Sequence, residues 1–162
     1  MAELERKFMG HFVDASTTNS PDYEQLGDGI EERNIEMGAN VQKTRDITGK
    51  TKTFIDGYEK SQAVEPYKAN SDSNMFKRLQ SIADENKVLD DLNTTVIDVH
   101  MWETPTNNTT YPAVRENAVI ELTSYGGDTS GYQLPFTLHR TGVIAKGTFD
   151  ISTKTFTPTV GE

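Results

Sequence analysis

No cysteine occurs among the 162 residues of this chain. That absence removes disulfides, thiol catalysis, zinc fingers and iron–sulfur ligation together. Histidine is scarce too: His11, His100 and His139 lie far apart, and none has a second histidine at metal-ligand spacing. Each therefore reads as a surface or interface residue, not a ligand. Positive charge is outnumbered, with 16 Lys and Arg against 25 Asp and Glu, a net of -9. Such a balance disfavours a nucleic-acid reader, which needs a basic face to neutralise phosphates. It suits a soluble chain, and a surface that nucleic acid passes without sticking.

Long hydrophobic runs are missing as well. Nothing approaches the twenty or so apolar residues of a membrane span. Met1 to Gly10 carries Glu3, Glu5, Arg6 and Lys7 without an apolar stretch, so no secretory signal is expected there. The Asn-x-Thr triplets at Asn93 and Asn108 are accordingly expected to stay unmodified. Apolar residues make up only 34% of the chain, which predicts a modest core with polar excursions, or a subunit completed by neighbours.

Signatures of chemistry are equally thin. There is no G-x-S-x-G elbow for a serine nucleophile. Gly126-Gly127-Asp128 lacks a following helix and a lysine at phosphate-loop spacing, so a hairpin loop is expected there. Asp28-Gly29-Ile30-Glu31-Glu32 does not follow the alternation of a calcium loop. Paired carboxylates could serve a glycosidase, but a sugar cleft would bring several aromatics and Trp102 is the only tryptophan. No enzymatic activity, cofactor or metal is implied.

What is present is strand periodicity. The length suits one domain covering residues 1–162. Apolar residues alternate with polar ones along most of it. Phe8 to Val13 predicts a short strand, and Asp14 to Asp22 a polar loop. Ile35, Met37, Ala39 and Val41, then Phe54 to Lys60, predict a long projecting β-hairpin over about 33–64, reversing near Thr48-Gly49-Lys50. One helix is expected over about 72–88. It follows the capping residues Ser71, Asp72 and Ser73 and carries an apolar stripe of Met75, Phe76, Leu79, Ile82 and Ala83. Lys77, Arg78, Asp84 and Glu85 lie off that stripe. Strands resume over about 94–152. Ile97, Val99 and Met101 form one apolar set, and Ala118, Ile120 and Leu122 another. Leu134, Phe136 and Leu138 form a third, and Val143 to Ile151 a fourth. Between them, Pro105 to Pro112 reads as a polar loop, and Thr153 to Glu162 as an extended tail. The fold class is mainly β: a β-sandwich or barrel-like domain with one mid-chain helix.

Charge is segregated along the chain. Asp22 to Met37 holds Asp22, Glu24, Asp28, Glu31, Glu32 and Glu36 against Arg33, a net of -5. Asn40 to Thr53 holds Lys43, Arg45, Lys50 and Lys52 against Asp46, a net of +3. A basic hairpin tip beside an acidic body is self-complementary, and such contacts set orientation and register. The alternative is clustering on a hairpin without a partner.

This layout resembles the tail tube (major tail) proteins of tailed phages, of tailocins and other bacteriocin-like particles, and of type VI secretion tubes. The resemblance covers most of the chain. It is closest over Tyr111-Pro112-Ala113-Val114-Arg115-Glu116-Asn117-Ala118-Val119-Ile120-Glu121-Leu122 and Leu134 to Ile151. It implies a ring of subunits, usually six, whose sheets join around a lumen through which DNA or ions pass without specific binding. Rings would stack through the hairpin, with Lys43, Arg45, Asp46, Lys50 and Lys52 at the contact and the six acids as complementary or luminal surface. Partners would be further copies of the chain and other tail components: tape measure, baseplate or tip, terminator, and in some particles a sheath. The implied location is a virion tail or tail-like particle assembled in the bacterial cytoplasm. A competing reading is a carbohydrate- or receptor-binding β-sandwich using Trp102 and the polar loops.

Overall fold

A computed structural model of the chain describes residues 3–16, 20–27 and 34–159. The described residues form twelve strands and one α-helix. They are β1 (Met9–Asp14), β2 (Tyr23–Leu26), β3 (Ile35–Glu36), β4 (Ala39–Arg45), β5 (Thr51–Tyr58), β6 (Ser61–Val64), α1 (Asn74–Glu85), β7 (Asn93–His100), β8 (Thr110–Leu122), β9 (Gly126–Asp128), β10 (Gly131–Gln133), β11 (Phe136–Asp150) and β12 (Thr155–Pro158). Eight of the strands form one antiparallel sheet in the order β2-β1-β7-β8-β11-β6-β3, with β12 also on β11. The sheet curls into a half-barrel, and the protein is mainly β with one helix.

Successive residues of a strand point to opposite faces, and this sheet buries apolar residues on both. On one face, Val13, Val96, Ala118, Ile120, Phe136 and Leu138 pack beneath Met75, Leu79 and Ile82 of α1. On the other, Phe12, Ile97, Val99, Ala113 and Phe149 form a second core. The Phe12 and Phe149 rings lie 4.6 Å apart, and Tyr23 meets Phe149 edge-on at 5.8 Å. Burying a side chain such as Leu79 contributes about 1.5 to 3 kcal/mol.

The helix forms where its signals stand. Ser73 accepts the Phe76 N–H at 3.2 Å, and Asn86 closes the far end in the left-handed region at φ 50°. Its stripe packs on the sheet. Arg78, placed off the stripe by spacing, is nevertheless buried, because its guanidinium reaches past the helix to the carbonyls of Asp14 and Asn93 at 2.9 and 2.5 Å.

Several expectations need correcting. The hairpin expected over 33–64 does not form as one continuous ladder. Ile35 and Glu36 pair with Gln62 and Ser61 in the main sheet, whereas β4 and β5 make a separate two-stranded sheet. The division falls at Gly38, in the left-handed region at φ 58°, whose carbonyl accepts the Glu59 N–H at 3.0 Å. Residue 33 lies outside the described residues. The end of the loop expected at 105–112 is strand, since Thr110, Tyr111 and Pro112 pair with Asp150, Phe149 and Thr148. Leu138 and Val143 belong to one strand, interrupted by a bulge between Arg140 and Ile144. Part of the expected tail, Thr155–Pro158, pairs with β11. The glycine-rich stretch is a short hairpin of β9 and β10.

Candidate functional site

The ribbon made by β4 and β5 exposes apolar side chains along its length. Val41, Phe54, Ile55 and Tyr58 are each about half exposed, and Ile47 at its apex is fully exposed at 106%. A two-stranded ribbon alone in water is only marginally stable, and this one exposes apolar side chains on both faces, Val41 and Ile55 on one and Phe54 on the other. The apex is tightly built. One Asp46 carboxylate oxygen accepts the Thr48 N–H at 2.9 Å, the Thr48 hydroxyl at 2.6 Å and the Lys50 N–H at 3.1 Å. The Thr48 hydroxyl bond, then the Lys50 N–H, hold Asp46 below the usual carboxylate range. Gly49, at φ 85°, supplies the left-handed residue that this turn requires. Lys43, Arg45, Lys50 and Lys52 all face solvent around it.

The acidic set is spread differently. Asp22 and Glu24 sit at the start of α1. The Asn74 side-chain amide donates to Asp22 at 2.5 Å, and Glu24 accepts the Met75 N–H at 2.9 Å. A carboxylate there satisfies an unpaired helix N–H and opposes the positive end of the helix dipole. Glu36 is exposed on β3. Asp28, Glu31 and Glu32 lie outside the described residues. Among the described residues, no ion pair joins the ribbon to these acids.

A buried polar network that spacing did not reveal lies on the helix-covered face. Arg140 donates to both oxygens of Asp98, at 2.6 and 3.1 Å, to Gln62 at 2.8 Å and to Glu116 at 3.4 Å. Lys60 stands 3.6 Å from Glu116, which also accepts the Gly142 N–H at 3.1 Å. Burial pushes Asp98 upward, but hydrogen bonds from His11 and Arg140 outweigh it and hold Asp98 well below the carboxylate range.

His11 belongs to this network and is not a surface residue: it is 5% exposed. Its Nδ1 lies 2.7 Å from Asp98, and its Nε2 2.8 Å from an Arg6 guanidinium nitrogen. Arginine has only donors. Nε2 therefore accepts, and Nδ1 carries the proton that goes to Asp98. A histidine held by an aspartate is half of a hydrolytic relay, but here the nitrogen that would act as base is taken by Arg6.

The other histidines lie elsewhere. His100 stacks on Trp102 at 4.6 Å, and His139 meets Glu121 at 2.7 Å. Among the described residues, no three His, Asp or Glu side chains gather as a metal site, and no helix is long and apolar enough to cross a membrane. No protein-family model matches the chain, and no curated protein matches it.

Proposed function

We propose that this chain is a self-assembling structural subunit that forms stacked, six-membered rings, building the hollow tube of a phage tail or phage-tail-like particle. The observation that carries the reading is the ribbon: a rigid cationic apex on a hairpin with apolar side chains exposed along it. Such a surface suits burial against another molecule.

The main sheet supports the same reading. On the side away from β8, β11 is paired by β6 only over Phe136–His139 and by β12 only over Gly147–Asp150, which leaves its middle without a strand partner on that side among the described residues. Open edges are templates for pairing with another chain. A head-to-tail contact of one kind closes into a ring when its rotation allows. A net charge of -9 agrees with a lumen that DNA traverses without binding. Partners are then other copies of the chain and the remaining tail components, in a particle assembled in the bacterial cytoplasm.

The test is sedimentation of the intact chain beside a variant in which residues 40–57 are replaced by an Asn-Gly turn. Concentration-dependent assembly of the intact chain, lost in a folded variant, supports the reading. Equal behaviour of the two removes the ribbon from it.

A second reading, a glycan-binding β module, has one observation in its favour: the Trp102 ring is stacked on His100 and 44% exposed. A glycan array that shows no binding, or binding unchanged in Trp102→Ala, ends that reading.

A further inference from the structure

The end of α1 is charged against its own dipole. The C-terminus of a helix carries partial negative charge and favours cations. Here the last turn holds no basic residue and ends on Asp84 and Glu85. Asp90 and Asp91 follow in the next turn, so residues 82–92 hold four acids against Lys87, a net of -3. Lys87 reaches only Glu85, at 3.8 Å, and all four acids are exposed.

Beside these acids runs a groove of about 600 Å³. Ile82, Ala83, Val88 and Leu92 form one wall, and Leu122 and Tyr125 belong to the other. Glu121 stands at its rim, and Val88 and Tyr125 are more than half exposed. The groove is thus mainly apolar, with Lys87 and the Glu121–His139 pair among its lining and the four exposed acids adjoining the lining residues of its α1 side in sequence.

The ribbon apex has the matching properties in reverse. It offers one fully exposed isoleucine inside a border of net +3. Seven strand residues extend roughly 23 Å, so β4 can carry the apex well away from its own sheet. The turn at Asp46 already fixes the apex, so docking costs little ordering entropy.

We propose that Ile47 of one copy docks into the groove between the end of α1 and β8 of a second copy, with the ribbon face that carries Lys43 and Arg45 turned toward the acids at the end of α1 and Lys52 on the opposite face. This rests on the self-assembly reading above and names the receiving surface. It also relieves Asp22 and Glu24 of that role, because both are engaged at the start of α1.

The absence of cysteine allows a direct test. Thr51→Cys keeps Ile47 and every ribbon cation, and Ser124→Cys lies in the groove; both positions are exposed. Concentrated mixtures of the two single variants are treated with a short bismaleimide, with Thr153→Cys as a remote exposed control. Sedimentation and electron microscopy of the same mixtures record assembly. The expected result is a heterodimer cross-linked between positions 51 and 124, in about tenfold or greater excess over the control pair. Its yield should fall about tenfold or more when Ile47→Asp is added to the Thr51→Cys chain. Cross-linked pairs without rings would support the docking and contradict the tube. Rings or tubes without preferential cross-linking would overturn the docking and leave the tube standing. Protein that never associates would contradict both.

Discussion

Asp98 and Arg140 are 42 positions apart in the chain and meet in a two-pronged ion pair at the centre of the sheet. Glu116 and Gln62 close around the same guanidinium. Removing one partner of a buried pair leaves an uncompensated charge, which costs about 3 to 5 kcal/mol. Against a typical stability of about 5 to 15 kcal/mol, that is a large fraction. Arg140→Met is expected to lower the urea midpoint steeply. Asp98→Val combined with Arg140→Met is expected to be less destabilised than Arg140→Met alone. An Arg140→Met chain as stable as the parent would contradict the role given to this pair.

The same pair sets an acid limb. Asp98 is held below the ordinary carboxylate value of about 3.9. Because the folded value is the lower one, the unfolded chain takes up the proton first as pH falls. The stability from Asp98 is therefore fully present above the ordinary value and is lost as pH drops below it toward the folded one. Urea unfolding followed from about pH 6 to about pH 2 is expected to show an acid limb. Asp98→Asn would be less stable at neutral pH but flatter in that limb. An unchanged acid slope in Asp98→Asn would show that other carboxylates carry it.

The start of α1 is held by two separate oxygens. Ser73 accepts the Phe76 N–H, and Glu24 accepts the Met75 N–H. Ser73→Ala and Glu24→Ala are each expected to cost about 1 kcal/mol. They act on different N–H groups, so the double variant should lose close to the sum. Denaturant unfolding of the three variants checks this, and a neutral Glu24→Ala would remove Glu24 from the capping.

Gly38 is where the ribbon leaves the sheet. A Cβ there would sit 2.1 Å from the Glu59 carbonyl oxygen, on a backbone at φ 58°. Gly38→Ala is expected to cost about 1 kcal/mol or more. It should also raise hydrogen exchange at the Glu59 amide, which bonds to the Gly38 carbonyl. Unchanged exchange at that amide would mean the junction tolerates a side chain.

Local signals in the sequence found the local structure. Ser73 and the Met75, Leu79 and Ile82 stripe marked α1, and alternation marked most of β7, β8 and β11. The turn at Asp46 to Lys50 followed from Gly49 and its neighbours. Alternation misled where both faces of the sheet are covered. With Ile97 and Val99 assigned inward, Asp98 reads as outward, yet the opposite face is also interior. His11 reads as a surface residue for the same reason, and its link to Asp98 spans 87 positions. Tyr23–Leu26 is too short to show a period, although it forms an edge strand. The ribbon's cations stood out in sequence as a cluster, whereas its apex isoleucine acquired meaning only with its full exposure.

Negative-stain electron microscopy of the concentrated, purified chain tests the self-assembly claim most directly. The account predicts rings or hollow tubes with six-fold symmetry. A uniform field of single subunits at the same concentration would contradict it.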